Sequence, residues 1–452
     1  MEERNSRRSF IKKASQSALL AAAVPATLKE SNTMPTILPK NPSGANDRIR
    51  IAVFGLNGRG NSHVKEIMGL SDKANVEVVT LCDPDMNILQ EKAMDFEKSY
   101  KKKVVIEQDF RNTLDDDSID AVTIASPNHW HALQTIWACQ AGKDVYVEKP
   151  GTHNIYEGKK MIEAAYKYNR IVQHGVQLRS SVAIREAVQH LQEGLIGRVY
   201  MSRGLVFRWR PDIGDKGISQ TPKGLNYDLW CGPAPLRPFS ENLVHYNWHW
   251  HWDYGNGDVG NQGIHETDLC MWGLGVQSLP ERITSMGGKF LWDDSKEVPE
   301  ILTSVYHYPK EKKIIQFEVR NWCTNQEDGA GVGNIFYGDK GYMVVKGYGT
   351  YETYLGKDRE KGPSRSEKGE LTLHFQNWFD AIRARDMSLQ HGPVQTCHLA
   401  SSLAHLGNIS YRLGLQLEFD PIGERFIGHG ENEANAMLSR EYRAPYMLPE
   451  VV

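Results

Sequence analysis

Between residues 49 and 173, apolar runs of strand length alternate with stretches whose apolar residues recur at helical spacing. Strands are expected at Ile49–Phe54, Glu77–Cys82, Ala121–Ala125, Asp144–Val147 and Ile171–Gln173, and helices at Asn61–Leu70, His129–Gln140 and Tyr156–Tyr168. Strand and helix repeating at these lengths predict a doubly wound parallel sheet of the α/β class. Beyond residue 175 the rhythm changes. Strand-like runs return at Ile301–Tyr308, Ile314–Val319 and Tyr342–Val345, and helical runs at Leu373–Arg385 and Val394–Leu413 follow them. A chain of 452 residues is too long for one core, because single cores seldom exceed about 250 to 300 residues. The expected division is residues 48–175 for the parallel sheet and 176–452 for an α+β domain, whose last helices pack back on its own sheet or on the first domain. No internal repeat is evident.

The first strand runs directly into Gly55-Leu56-Asn57-Gly58-Arg59-Gly60, and a helix follows. Strand, glycine turn and helix in that order leave backbone N–H groups at a helix N-terminus, where they and the helix dipole stabilise a pyrophosphate. Asn57 stands at the middle glycine position of the usual G-x-G-x-x-G, so the motif alone is weak. The next strand strengthens it, because it ends at Asp83, 28 residues after Gly55. A carboxylate there can accept both hydroxyls of an adenosine ribose and would repel a 2′-phosphate, which favours NAD over NADP. The plainer role for Asp83 is a helix cap before Pro84.

Two further motifs stand at strand ends, where open parallel sheets bind ligands. Ser126-Pro127-Asn128-His129-Trp130-His131 follows the strand ending at Ala125, and Glu148-Lys149-Pro150 follows the one ending at Val147. With the glycine turn, these residues make the chain resemble the Gfo/Idh/MocA oxidoreductases from about residue 48 onward. The resemblance implies a Rossmann domain, a second domain built on an open antiparallel sheet, and a homo-oligomer formed through that sheet. It places Gly55, Asn57, Gly58, Arg59, Gly60, Asp83, Ser126, Pro127, Asn128, His131, Glu148, Lys149 and Gln177 at the cofactor. Lys149 would lie near the nicotinamide and the reacting hydroxyl. The chemistry asks for such a group independently, since taking a hydride from a carbinol carbon leaves a proton to be removed from its oxygen. A lysine in a desolvated, cationic pocket can have a pKa near neutrality, whereas the plainer role is a surface lysine at a strand end.

The family's second catalytic element resembles Gly263-Ile264-His265-Glu266-Thr267-Asp268. If Asp258–Trp272 is one helix, Asn261 and His265 share a face, and His265 can serve as acid, base or hydrogen-bonding partner. Many relatives carry aspartate at the position of Asn261; an amide orients a hydroxyl but cannot take its proton, which shifts that work to Lys149 and His265. Simple helix packing is the other role for His265.

Residues 245–254 read His-Tyr-Asn-Trp-His-Trp-His-Trp-Asp-Tyr. If extended, they place Trp248, Trp250 and Trp252 on one face and Asn247, His249, His251 and Asp253 on the other. Such a strip suits a pyranose; a metal pair at His249 and His251, or a structural loop, would also explain it. Trp250, Trp252, Asp253, Asn261 and His265 are the substrate candidates, with Arg179 as a further one and Gln173, Arg208 and Arg210 as weaker contacts. No metal is expected.

A net charge of −3 gives no basic field for nucleic acid or membrane headgroups. The 11 Trp and 19 Tyr add flat faces suited to carbohydrate rings, although aromatics more often fill cores. Six scattered cysteines show neither zinc nor redox spacing and read as buried free thiols of a protein folded in a reducing compartment. Ser6-Arg7-Arg8-Ser9-Phe10-Ile11-Lys12 and the apolar stretch Ala14–Val24 resemble a twin-arginine signal, within residues 1–30, which moves folded proteins to the periplasm. Residues 31–47 read as a linker, and no later segment is apolar for long enough to span a membrane. An exported enzyme would have to carry its NAD tightly, loaded before export. The expectation is therefore an NAD-dependent oxidoreductase that interconverts hydroxyl and ketone on a sugar, glycoside or polyol. Two alternatives stand beside it: a redox-neutral NAD-dependent glycosidase, whose Tyr-Pro-Thr-His type of signature is absent here, and a non-catalytic NAD-binding protein, against which Lys149 and His265 together argue.

Overall fold

The computed structural model describes residues 48–369 and 371–452, so the expected export signal and linker lie outside the described residues. The first sheet has six parallel strands: β1 (Ile49–Phe54), β2 (Val76–Cys82), β3 (Val105–Glu107), β4 (Ala121–Ile124), β5 (Asp144–Val147) and β6 (Val172–His174). Their spatial order is β3-β2-β1-β4-β5-β6. Every residue of β4 and β5 is buried, as expected for central strands covered on both faces. The covering helices are α1 (Arg59–Gly69), α2 (Met86–Tyr100), α3 (Phe110–Leu114), α4 (Asn128–Gln140) and α5 (Ile155–Lys167). The strand order reverses between β1 and β4, and the crevice opens outside their carboxyl ends.

Beyond α6 (Val182–Gln192) come β7 (Val199–Phe207), α7 (Tyr227–Cys231), α8 (Gly257–Asn261) and α9 (Ile264–Leu274). Seven strands follow: β8 (Arg282–Gly288), β9 (Ile301–Tyr308), β10 (Lys313–Arg320), β11 (Val332–Gly338), β12 (Gly341–Lys346), β13 (Thr350–Leu355) and β14 (Glu360–Ser366). The chain continues through α10 (Leu371–Ala384), α11 (Val394–Leu413), β15 (Leu417–Asp420), β16 (Arg425–Ile427) and α12 (Glu431–Ala436). The second sheet has ten strands in the order β14-β13-β12-β11-β7-β10-β9-β8-β15-β16. It is antiparallel, as expected, at every pairing but one, since β7 and β10 pair in parallel at its centre. Along β9 burial alternates strictly, with Leu302, Tyr306 and Tyr308 joining residues of α6, α9 and α11 in one core while Ile301, Thr303, Val305 and His307 face the other way.

The first domain is completed from far along the chain. Phe375, Trp378, Phe379 and Ile382 of α10 are buried among residues of β1, β2 and α1, and Phe375 stacks on Tyr146 of β5 at 4.3 Å. Tyr446, Leu448 and Val452 join the cluster on the α4 and α5 side.

Two local expectations give way. Asp258–Trp272 is not one helix but two, broken at Gln262 and Gly263, where a side chain on Gly263 would run into the Phe317 ring at 2.4 Å. The segment 245–254 is not extended, because Asn247–Trp250 wind into a short 3-10 turn, which rotates alternate residues away from a common face.

Candidate dinucleotide and substrate site

One cavity of about 390 Å³ lies along the crevice, bounded by the glycine turn, the ends of β2, β4 and β5, and the second domain. Gly55 has φ +82°, and a Cβ on it would sit 2.6 Å from Ala125 O and Ser126 N. A Cβ on Gly60 would lie 1.9 Å from Gly55 O. The turn can be this tight only with glycine at both places. Gly58 precedes α1 with nothing near its Cβ position, so the N-terminus of that helix is open to the cavity. Asp83 is buried with both carboxylate oxygens on backbone N–H groups, Leu56 at 2.7 Å and Asp85 at 3.0 Å. Burial raises its pKa against those two hydrogen bonds. It is not the helix cap: Asp85 caps α2 by accepting from Asn87 N–H.

These residues fit a dinucleotide: open amides at a helix N-terminus, a cradle that a Cβ would fill, and a carboxylate at the end of β2. Asn57, Arg59, Ser126, Pro127, Asn128, His131 and Gln177 line the same cavity. Glu148 lies at its wall but points behind it, accepting from Arg59 Nε at 2.7 Å and meeting His63 Nε2 at 3.0 Å. Burial acts to raise its pKa, yet the Arg59 guanidinium and His63 hold it well below the carboxylate range. Glu148 thereby ties β5 to the glycine turn and fixes where its neighbour emerges.

Lys149 is that neighbour, half-buried at the cavity wall. Its Nζ donates to the backbone carbonyl of Asn261 and approaches Asn261 Oδ1 at 3.5 Å. Asn261 is oriented from its other side, Nδ2 lying 3.4 Å from Asp258 Oδ1, and the buried Asp258 is clamped by Arg210 at 2.7 and 2.8 Å. Burial lowers the Lys149 pKa to about 8, with Glu148 opposing and Arg59 assisting. His265 shares the cavity at 3% exposure, and burial holds its pKa well below the usual value, so the ring is neutral. Among the described residues its Nδ1 has no hydrogen-bond partner, and the ring stands edge-on to Tyr348 at 5.4 Å.

The structure does not bring every candidate to the cavity. Arg179 turns to the buried Asp268, with contacts of 2.8 to 3.0 Å. Trp250 is buried beneath Arg210, Trp252 faces Arg412, and Asp253 pairs with Arg237 at 2.5 Å. None of these four lines the cavity. Gly60 supports the turn from behind. From the aromatic segment it is His245, Tyr246, Trp248 and His249 that face the cavity, His249 stacked on Trp248 at 3.6 Å. Among the described residues no group of three or more His, Cys, Asp or Glu side chains gathers to hold a metal.

Tyr348 and Gln262 also line the cavity and were not singled out in the sequence. Gln262 donates to the Tyr348 hydroxyl at 2.9 Å and to the buried Glu266 at 3.1 Å, whose pKa burial raises to about 8. The available signal was Gly347-Tyr348-Gly349, a tyrosine flanked by glycines in the turn between β12 and β13.

A Rossmann sheet joined to an open-sheet domain, with a lysine and a histidine sharing the dinucleotide crevice, defines an oxidoreductase architecture. Residues 49–176 match a family described as an oxidoreductase family with an NAD-binding Rossmann fold, and residues 181–309 match its C-terminal alpha/beta domain. The chain belongs to the Gfo/Idh/MocA oxidoreductase family, and its cofactor is NAD. It is 36% identical over 105 residues to levoglucosan dehydrogenase from Pseudarthrobacter phenanthrenivorans, a match covering 23% of this chain and 27% of that protein. It is 29% identical over 174 residues to a glycosyl hydrolase family 109 protein from Shewanella pealeana, covering 35% of this chain and 36% of that one. The chain therefore matches about a third or less of the length of these curated relatives. Similar solved structures include levoglucosan dehydrogenase in complex with NADH and levoglucosan, with TM-score 0.64 and 16% identity over 82% of this chain and 99% of that one. WlbA dehydrogenase from Bordetella pertussis, in complex with NADH and UDP-GlcNAcA, gives TM-score 0.63 and 19% identity over 82% of this chain and 99% of that chain.

Proposed function

We propose that the protein is an NAD-dependent dehydrogenase or oxidoreductase that interconverts a hydroxyl and a ketone on a sugar, glycoside or polyol. The observation that carries this reading is Lys149: an amine of near-neutral pKa, set on the wall it shares with the glycine turn and held by uncharged oxygens of Asn261. When bound, NAD supplies the hydride acceptor. The chain's own residues manage the proton. Lys149 Nζ in its free-base form takes the proton of the substrate hydroxyl, and neutral His265 and Tyr348 hydrogen-bond and orient that hydroxyl. Glu148, locked by Arg59 and His63, keeps Lys149 in place without competing for the proton. Asp83 supports NAD over NADP, since a phosphate there would meet a buried carboxylate.

Sugar chemistry is further supported by the dehydrogenase relatives, whose names and complexes carry levoglucosan and UDP-GlcNAcA. The test is NADH formation by purified protein with levoglucosan, free hexoses and inositol, alongside release of a chromogenic group from nitrophenyl glycosides. Reduction without cleavage is expected. Cleavage without net reduction would replace this reading with the redox-neutral glycosidase, which the hydrolase-family relative keeps in view. Lys149→Ala should lower kcat by about 10²- to 10⁴-fold while NAD affinity stays within twofold; unchanged turnover would remove Lys149 from this role.

The proposal extends to place and assembly. The twin-arginine pattern supports delivery to the periplasm with NAD already bound, which Arg7→Lys together with Arg8→Lys should block in a fractionation assay. Among the described residues no helix is long and apolar enough to cross a membrane. The open face of the second sheet supports a homo-oligomer.

A further inference from the structure

The parallel pairing of β7 and β10 continues past both strand ends, with Arg208 N–H donating to Arg320 O at 3.0 Å and Arg210 N–H to Asn321 O at 2.9 Å. That register sets Trp209 beside Trp322, ring centroids 4.5 Å apart, and Trp292 meets Trp322 edge-on at 4.9 Å. Trp209 stays 66% exposed, and Phe290 and Leu291 beside Trp292 are exposed as well. Three indoles gathered at a surface mark a contact site, since a solitary exposed aromatic is ordinary and a cluster is not.

A chain of contacts through Arg210 links the cluster to the rim of the reaction cavity. Trp292 Nε1 donates to the carbonyl of Arg210 at 3.3 Å, and the Arg210 side chain clamps Asp258 and reaches the Tyr246 hydroxyl at 3.4 Å. Tyr246 stands at the cavity, 53% exposed. Most charges around the indoles are paired, while Arg208 and Asp293, of opposite sign, form no ion pair among the described residues. Arg320 binds Glu318 and Glu327, Lys289 and Lys296 bind Asp294, and Arg210 binds Asp258. A strongly acidic or basic partner finds little free charge here, whereas a neutral ligand with an apolar face and a hydroxylated rim matches both the rings and their polar border.

We infer that Trp209, Trp292 and Trp322 form an outer subsite for a second, neutral sugar unit, so that the substrate is a glycoside or oligosaccharide whose reacting unit enters the cavity. This rests on the sugar reading above, and two measurements separate them. The first is NADH formation with β-1,4- and α-1,4-linked glucose oligomers of one to four units. In the wild type kcat/KM should rise about tenfold or more between one unit and two, mainly through KM, which corresponds to about 1.4 kcal/mol of added binding. Trp209→Ala should abolish that rise and leave the single-sugar value unchanged. Equal values at every length, or a loss in Trp209→Ala that is the same at every length, would overturn the subsite. The second is titration of tryptophan fluorescence with the same oligomers, which requires no turnover. Saturable quenching that disappears in Trp209→Ala supports the subsite even if no oligomer reduces NAD, in which case only the redox reading falls. Absence of quenching by every oligomer overturns it, as does a sedimentation shift from oligomer to monomer in Trp209→Ala with length dependence intact, which would make the indoles a contact between subunits.

Discussion

Burial is the chief cause that lowers the Lys149 pKa, and the oxygens nearest its Nζ belong to a neutral residue. With a pKa of about 8, the fraction of free base falls tenfold per unit as pH drops below that value. The rate should accordingly climb with slope one up to about pH 8 and level off above it, read from kcat/KM against pH. Asn261→Asp would place a carboxylate where the amide oxygen now lies 3.5 Å from Nζ, favouring the ammonium. Its profile should move to higher pH by about one unit or more, with roughly tenfold lower activity at pH 7; an unmoved profile would show that Asn261 does not set the lysine. At this scale the sequence disclosed the residues that belong to short motifs, because Glu148, Lys149, Asn261 and His265 each carry their context within a few neighbours. It could not disclose Arg179 or Asp253 correctly, since the residues that claim them, Asp268 and Arg237, are chosen by the fold. Tyr348 was hidden for the same reason, arriving at the cavity from a hairpin about 200 residues beyond the lysine.

At the scale of elements, the turn between β1 and α1 offers the clearest test. Gly55→Ala meets backbone on two sides and must also hold a positive φ, so the turn has to open. NAD affinity should fall by tenfold or more and stability by about 1–3 kcal/mol, measured by cofactor titration and denaturant unfolding. Wild-type affinity in that variant would detach the cofactor from the turn. The strands and helices of the first sheet were readable because each is a continuous apolar or periodic run. The break between α8 and α9 was not: it depends on Gly263 lying against Phe317, a residue of β10. The aromatic segment misled in the same way, since its alternating letters obey a period of two while its backbone turns with a period near three.

For the whole molecule, the open face of the ten-stranded sheet carries the stacked rings of Tyr342 and Tyr354, 4.9 Å apart near its free edge. Sedimentation should find more than one copy per particle, and Tyr354→Glu should shift the population toward single copies; a monomer at all concentrations would refute assembly through this face. Trp378 on α10 is fully buried against the nucleotide sheet. Trp378→Ala should cost about 3–5 kcal/mol, seen as a lower urea midpoint for the loss of NAD binding. The change of rhythm near residue 175 falls where the parallel sheet ends, at His174, and the return of α10 was expected only as one of two options, because an amphipathic helix does not announce which sheet it will cover. That return sets an order of events in the cell. The hydrophobic core of the nucleotide half is closed by α10, which ends at Ala384, and by Tyr446, Leu448 and Val452, so it stays incomplete until nearly the whole polypeptide has been made. A product truncated before α10 would leave that core open.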